Sequence, residues 1–276
     1  MEGCTKRTAS YLCKRLVNHE TKDLRYFLEI SYQGSRYHGW QKQQNALGIQ
    51  SVIEDALQKL CRQPVEISGS GRTDTGVHAK QQWAHFEAEL PFASNHLTHR
   101  LNAILPSDIA VSSLWEVQEN AHARFDAVLR SYEYHIHQQK SPFLEGLSYH
   151  FRVPLDLKSM NDCVGKIADG TERDYGCFSK AGGGQSNNLC RITSAAWEIK
   201  EDSGLLFRIS ANRFLRNMVR AIVGTLLDVG SGRMDAKGFE RMLESSDRRE
   251  AGRSVPAEGL YLSKIIYPPE IFIRKR

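Results

Sequence analysis

The residues best able to do chemistry lie in one stretch, Gly71-Arg72-Thr73-Asp74-Thr75-Gly76-Val77-His78-Ala79. A carboxylate stands there between an arginine and a glycine. Glycine lets a backbone turn tightly and approach a ligand closely. The planar guanidinium of Arg72 suits a phosphate or a carboxylate, and a guanidinium close to a carboxylate favours its ionised form. An ionised carboxylate can act as a nucleophile or a general base. The plainer reading makes Asp74 the cap of a turn, with Arg72 as a surface partner of little energetic weight.

Other chemistries fit the sequence less well. Gly69-x-Gly71 begins a dinucleotide-binding fingerprint, but Asp74 stands where the third glycine is required. Asp74-Thr75-Gly76 matches the tripeptide of aspartic proteases, which need two carboxylates sharing a proton. The chain has no second Asp-Thr-Gly, although a homodimer could supply one. Arg72 would favour full ionisation, which a shared-proton pair disfavours. The histidines lack metal-ligand spacing: His78 and His85 are seven residues apart, and His135 and His137 are two apart with only Glu133 nearby. They read as surface or satisfied core residues. No Gly-Lys-Ser/Thr phosphate loop occurs, so a nucleotide cofactor has no support.

Two further segments carry charge or rings. Arg213, Arg216 and Arg220 fall within about 60° of each other on a helical period, and no acidic residue lies between Asp202 and Asp228. That predicts a basic helix face, either solvated or lining a cleft. Arg124-Phe125 and Arg130-Ser131-Tyr132-Glu133-Tyr134 interleave cations with rings. Such rings either stack on bases or pack into a core strand.

The positioning elements follow from periodicity. Leu24, Tyr26, Leu28, Ile30 and Tyr32 alternate as in a strand, interrupted only by Phe27. Ile49, Val52, Ile53, Ala56, Leu57 and Leu60 trace a helix that Pro64 closes. A returning strand is predicted over 82–86, a short helix near 94–104 and a strand over 109–117. In the second half, Tyr132, Tyr134 and Ile136 alternate, and Leu157, Met160, Val164 and Ile167 mark a helix capped by Asp156. Strands are predicted over 192–199 and 205–210, a long helix from about 212 to 229, a shorter one over 235–244 and a last strand over 261–266. Half-polar, alternating strands suit antiparallel pairing. The expected fold is therefore α+β, with a mixed, mainly antiparallel central sheet, helices on one face and two pseudo-repeated halves. The expected organisation is a flexible tail over 1–22, an N-terminal half over 23–130 carrying the Asp loop, and a C-terminal half over 131–276 carrying the basic helix.

Of the net charge of +5, +3 lies in residues 1–22, so overall charge does not by itself mark a nucleic-acid binder. An organellar targeting role for the tail is a weaker alternative, since Glu2 and Glu20 interrupt its basic run. The longest apolar runs are far too short to cross a membrane. The cysteines at 4, 13, 61, 163, 177 and 190 form no Cys-x-x-Cys pair. They read as small buried residues of a protein in a reducing cytosol.

The motifs taken in order resemble the TruA-type tRNA pseudouridine synthases. They run from Tyr32-x-Gly34 and Gly39-Trp40-Gln41 through Gly71–Ala79 to Leu105-Pro106-x-Asp108-Ile109. Phe125-Asp126-Ala127 with Arg130-x-Tyr132-x-Tyr134 comes next, then Asn217-Met218-Val219-Arg220-x-Ile222-Val223-Gly224 and Ala257–Leu262. The resemblance spans roughly residues 24–268. It implies the pseudouridine synthase fold and an isomerase that acts on uridines at positions 38, 39 and 40 of the tRNA anticodon stem-loop. It also implies a homodimer that needs no metal or cofactor, beside the cytoplasmic location and the lack of membrane engagement expected from the thiols and the short apolar runs. Carried over residue by residue, it makes Asp74 the catalytic carboxylate and gives Arg72 a role in flipping the base. Tyr132 would stack on the target uracil, Arg220 would pair with the carboxylate, and Leu260 would lie against the base. Thr75 departs from the alanine common in the family. The glycine-rich 181–188 loop is a further departure, which bears on substrate range.

Overall fold

The computed structural model describes residues 24–90, 95–180, 187–201 and 204–275. The tail expected over 1–22 and most of the 181–188 loop lie outside the described residues. In chain order the elements are β1 (Leu24–Tyr32), α1 (Ile49–Cys61), β2 (Ser68–Gly69), β3 (His78–Ala88), α2 (Asn95–Ile104), β4 (Ile109–Val117), β5 (Leu129–His137) and β6 (Tyr149–His150). They continue with α3 (Leu157–Gly165), β7 (Glu172–Asp174), β8 (Leu189–Ile199), β9 (Leu205–Ala211), α4 (Met218–Gly230), α5 (Ala236–Ser245), β10 (Leu260–Ile266) and β11 (Phe272–Lys275).

The strands join in the order β11-β4-β1-β3-β10-β5-β9-β8-β7, with β2 on β3 and β6 on β5. Pairing is antiparallel except at β3–β10 and β5–β6. The expected α+β architecture with a mixed, mainly antiparallel sheet is therefore present. The short parallel contact, Tyr261 beside His78 and Leu262 beside Ala79, is where the early and late strands meet. The loop carrying Asp74 leads directly into this junction.

Two core clusters lie on either side of it. The first gathers α1, α2 and strands β1, β3 and β4, and also takes Leu262, Ile265, Tyr267 and Ile271 from the C-terminal segment. The second gathers α3, α4, α5 and strands β5, β8 and β9, and takes Val77 from the Asp loop. Local chemistry explains most elements. The stripe Ile49, Ile53, Ala56 and Leu57 buries α1, which ends at Arg62 in a left-handed conformation two residues before Pro64. Asp156 caps α3 by accepting from Lys158 N at 3.0 Å and Ser159 N at 3.2 Å. Phe27, which breaks the alternation of β1, is fully buried on the sheet's other face. There it packs with Tyr267 (5.2 Å between ring centroids), Phe272 (6.0 Å) and Trp83 (6.3 Å). Cys61, Cys163, Cys177 and Cys190 are buried free thiols. No helix among the described residues is long and apolar enough to cross a membrane.

The expected long basic helix is shorter than its periodicity suggested. Helix α4 starts at Met218, and Asn217 before it has φ +65°, left-handed, which a right-handed helix cannot include. Arg213 and Arg216 therefore precede the helix, and only Arg220 stands on it. Most of its residues are buried, as expected of a helix that is apolar all round.

A titratable contact between the sheet and the 118–127 segment has a consequence for stability. Ala123 N donates to His85 Nδ1 at 3.2 Å, and the His122 ring lies 4.4 Å away. Burial first, then the His122 and Arg25 charges, lower the His85 imidazole to about 4. The folded state thus prefers neutral His85, and the native chain binds fewer protons than the unfolded one between these values. Stability from this site is fully present above about 6.5 and is lost as pH falls towards about 4. His85→Phe is expected to flatten the decline in melting temperature across that window. An unaltered decline would assign it to other groups.

Candidate active site

The Asp74 loop is held by backbone contacts from the segment after β1. Trp40 N donates to Thr73 O at 3.2 Å, and Gly76 N donates to Tyr37 O at 3.4 Å. Within the loop Val77 N donates to Asp74 O at 3.2 Å, closing a tight turn. The hydroxyls of Tyr32 and Thr73 meet at 2.8 Å inside the core, and Gln82 Nε2 donates to Gly71 O at 2.9 Å. Thr73 is buried while the neighbouring Asp74 side chain is about 39% exposed. The loop's core-facing residues thus anchor it and leave the carboxylate open.

A second segment closes the other side. Arg220, in the first turn of α4, places Nη1 3.6 Å from Asp74 Oδ2. Its Nε donates to Val255 O at 2.7 Å, and Val255 N donates back to Arg220 O at 3.2 Å. The 255–260 segment continues over the loop. His78 is buried and joins both: Gly34 N donates to its Nδ1 at 3.0 Å, so Nε2 carries the proton and donates to Glu258 O at 3.1 Å. Burial lowers its pKa, which keeps this neutral tautomer in place. His78 is the satisfied core histidine anticipated from the sequence.

Tyr132 on β5 is half-buried and meets Phe214 edge-on at 5.1 Å and 89°. Burial pushes its phenol up to about 12; Arg130 counters this and the Asp74 charge adds to it. The phenol therefore stays protonated at neutral pH and lies within electrostatic reach of Asp74. Leu262 on β10 and Ile209 on β9 flank it in register.

The structure thus brings Asp74 and Arg220 together, and the Asp74 charge is felt at the Tyr132 phenol. Arg72 is exposed, with Nε donating to Gln41 Oε1 at 3.1 Å. Leu260 sits in the second core opposite Tyr134, 6% exposed, so packing holds it. Arg213 donates to Asn187 Oδ1 at 3.1 Å, and Arg216 is exposed in the turn before α4. Sequence reasoning gave no role to Gln41, Gln50 and Glu54, which partner Arg72 directly or in series. The i,i+4 spacing of Gln50 and Glu54 on α1 was the available signal. No group of three or more potential metal ligands occurs among the described residues.

Comparison with known proteins bears on this arrangement. A family model for tRNA pseudouridine synthase matches residues 30–126 and 169–268. A tRNA pseudouridine synthase A of Porphyromonas gingivalis is 44% identical over 252 residues, covering 90% of this chain and 99% of the relative. That of Parabacteroides distasonis is 45% identical over 249 residues, covering 90% and 98%. One from Bacteroides fragilis is 42% identical with the same coverage. With matches of that extent running through the Asp74 loop, the α4 arginine and the C-terminal strand, the chain belongs to the tRNA pseudouridine synthase family.

Proposed function

We propose that this chain isomerises uridine to pseudouridine at positions 38, 39 and 40 of the tRNA anticodon stem-loop, with Asp74 as the catalytic carboxylate. One observation carries the reading within this family: the part-exposed Asp74 carboxylate lies 3.6 Å from the Arg220 guanidinium. The protein acts as a homodimer in the cytoplasm, and the reaction draws on the chain's own residues without a cofactor.

The chemistry requires the uracil to leave the helical stack, at a cost of a few kcal/mol. Arg72, exposed beside the loop, fills the space left behind. Tyr132 receives the flipped base by stacking, and Leu260 supports it from the packed side. Asp74 then assists rupture of the bond from N1 to C1′. The uracil turns in place, C5 bonds to C1′, the C5 proton leaves and N1 gains a proton, so the product is an isomer of the substrate. Arg220, 3.6 Å from Asp74 Oδ2, orients the carboxylate through this sequence.

The direct test incubates the purified protein alone with unmodified tRNA transcripts and maps pseudouridine along the anticodon arm. Product confined to positions 38–40 is expected; product elsewhere, or none across many tRNAs, would overturn the proposal. Tyr132→Ala is expected to lower kcat/KM by about 10- to 100-fold, the range that loss of one base–aromatic stack allows. An unchanged kcat/KM would remove Tyr132 from the base pocket.

A further inference from the structure

The Arg72 guanidinium is the exposed end of a hydrogen-bonded chain that runs into the core. Its Nε donates to Gln41 Oε1 at 3.1 Å, and Gln41 Nε2 donates to Gln50 Oε1 at 2.8 Å. Gln50 Nε2 in turn donates to Glu54 Oε1 at 2.9 Å. Glu54 is only 6% exposed, an unusual place for a carboxylate unless it is fully partnered. It is: Lys42 Nζ donates to its Oε2 at 3.0 Å, and Ile67 N donates to Oε1 at 3.2 Å. Gln50 also donates to Ile67 O at 3.0 Å and accepts from Lys42 N at 3.1 Å.

The chain has a fixed direction. An ionised carboxylate only accepts hydrogen bonds, whereas an amide can present either its oxygen or its NH₂ group. Glu54 therefore obliges Gln50 to turn its NH₂ inward and its oxygen towards Gln41. Gln41 must then give its NH₂ to Gln50 and its oxygen to Arg72. Either amide turned the other way would set donor against donor or acceptor against acceptor. A buried charge on α1 thus determines that an acceptor faces Arg72. The same carboxylate pins Ile67, just before β2 and the Asp loop. Capping α1 or filling the core would not need a chain ending on an exposed arginine.

We infer that Gln41, Gln50 and Glu54 form a positioning relay that sets where the Arg72 guanidinium stands as the target nucleotide enters. The inference rests on the proposed contact of Arg72 with the RNA.

A double-mutant cycle tests it, reading the single-turnover rate on a tRNA transcript together with the tRNA dissociation constant. Arg72→Ala is expected to lower the rate by about 100-fold, and Gln41→Met or Gln50→Leu by about 10-fold, with tRNA affinity kept within about twofold. In the Arg72→Ala background the glutamine variants are expected to lower the rate by less than about twofold further, because their effect passes through the missing guanidinium. A purely structural loss would instead multiply with that of Arg72→Ala, and this result, or a normal rate for Gln41→Met, overturns the relay alone. A normal rate for Arg72→Ala itself overturns the relay and the proposed role of Arg72 together. Melting curves accompany each variant. Gln41→Met, at the rim, carries the cycle if Gln50→Leu weakens the fold.

Discussion

Asp74→Asn is expected to reduce pseudouridine formation by at least about 10³-fold while tRNA still binds within about threefold. The substitution preserves shape and removes charge. An amide can neither attack C1′ nor accept a proton from the sugar, so both routes open to a carboxylate close together. Little of the fold depends on that charge. The side chain is about 39% exposed, and its ion pair with Arg220 is 3.6 Å long. Such a pair contributes about 1 kcal/mol or less. Arg220 retains its hydrogen bond to Val255 O, so no buried cation is left without a partner. The turn survives as well, since Val77 N bonds to the Asp74 backbone oxygen, which asparagine also has. An unshifted melting curve beside a silent pseudouridine map is the expected pair of results. Turnover within tenfold of the parent would remove Asp74 from the chemistry.

The elements that a sequence can announce are those whose stability is local. The alternation of β1, the apolar stripe of α1 and the Asp156 cap of α3 each express a contact a few residues away, and each stands where periodicity put it. Phe27 was out of pattern because its partners, Trp83, Tyr267 and Phe272, come from distant segments that cover the second face of the sheet. Helix α4 is shorter than its periodicity predicts for a related reason. Residues 213–217 suit a helical period, but the chain leaving β9 must change direction there, and Asn217 takes a left-handed conformation to do it. The site divides the same way. The Asp74 loop is a contiguous string with its own signature, so its residues were legible together. Its pairing with Arg220 joins residues 146 positions apart in sequence, and only the motif resemblance connected them. Of the glycines in the loop, Gly76 takes φ +79°, the tight-turn conformation that glycine permits. Gly71 has open space where a Cβ would be, and the tight contact belongs to Gly39, outside the loop.

Gly39→Ala is therefore expected to damage both fold and activity. Gly39 has φ +86°, and a Cβ built there would lie 2.4 Å from Thr73 O and 3.1 Å from the Asp74 carbonyl carbon. All of the nearest atoms are backbone, so no flexible side chain can yield. The left-handed conformation costs an L-residue about 1–2 kcal/mol, and forced overpacking adds about 1–3 kcal/mol. A loss near 3 kcal/mol would lower the melting temperature by about 10 °C in a protein of this size. The direction of the push decides the activity. Relief requires the 73–75 backbone to move away from residue 39, carrying Asp74 with it. A misplacement of about 1 Å at a reacting group can cost about 10²-fold in rate. Turnover measured well below the melting transition separates this from simple unfolding, because the folded variant itself should be slow. Gly71→Ala, two residues before Thr73, is the matched control for stability and should melt within about 1 °C of the parent, since a methyl there meets nothing within 4 Å. If Gly39→Ala melted like the parent and turned over within threefold of it, the Asp74 loop would not be held by this close approach, and the hydrogen bonds from Trp40 and Gly76 would have to position the carboxylate on their own.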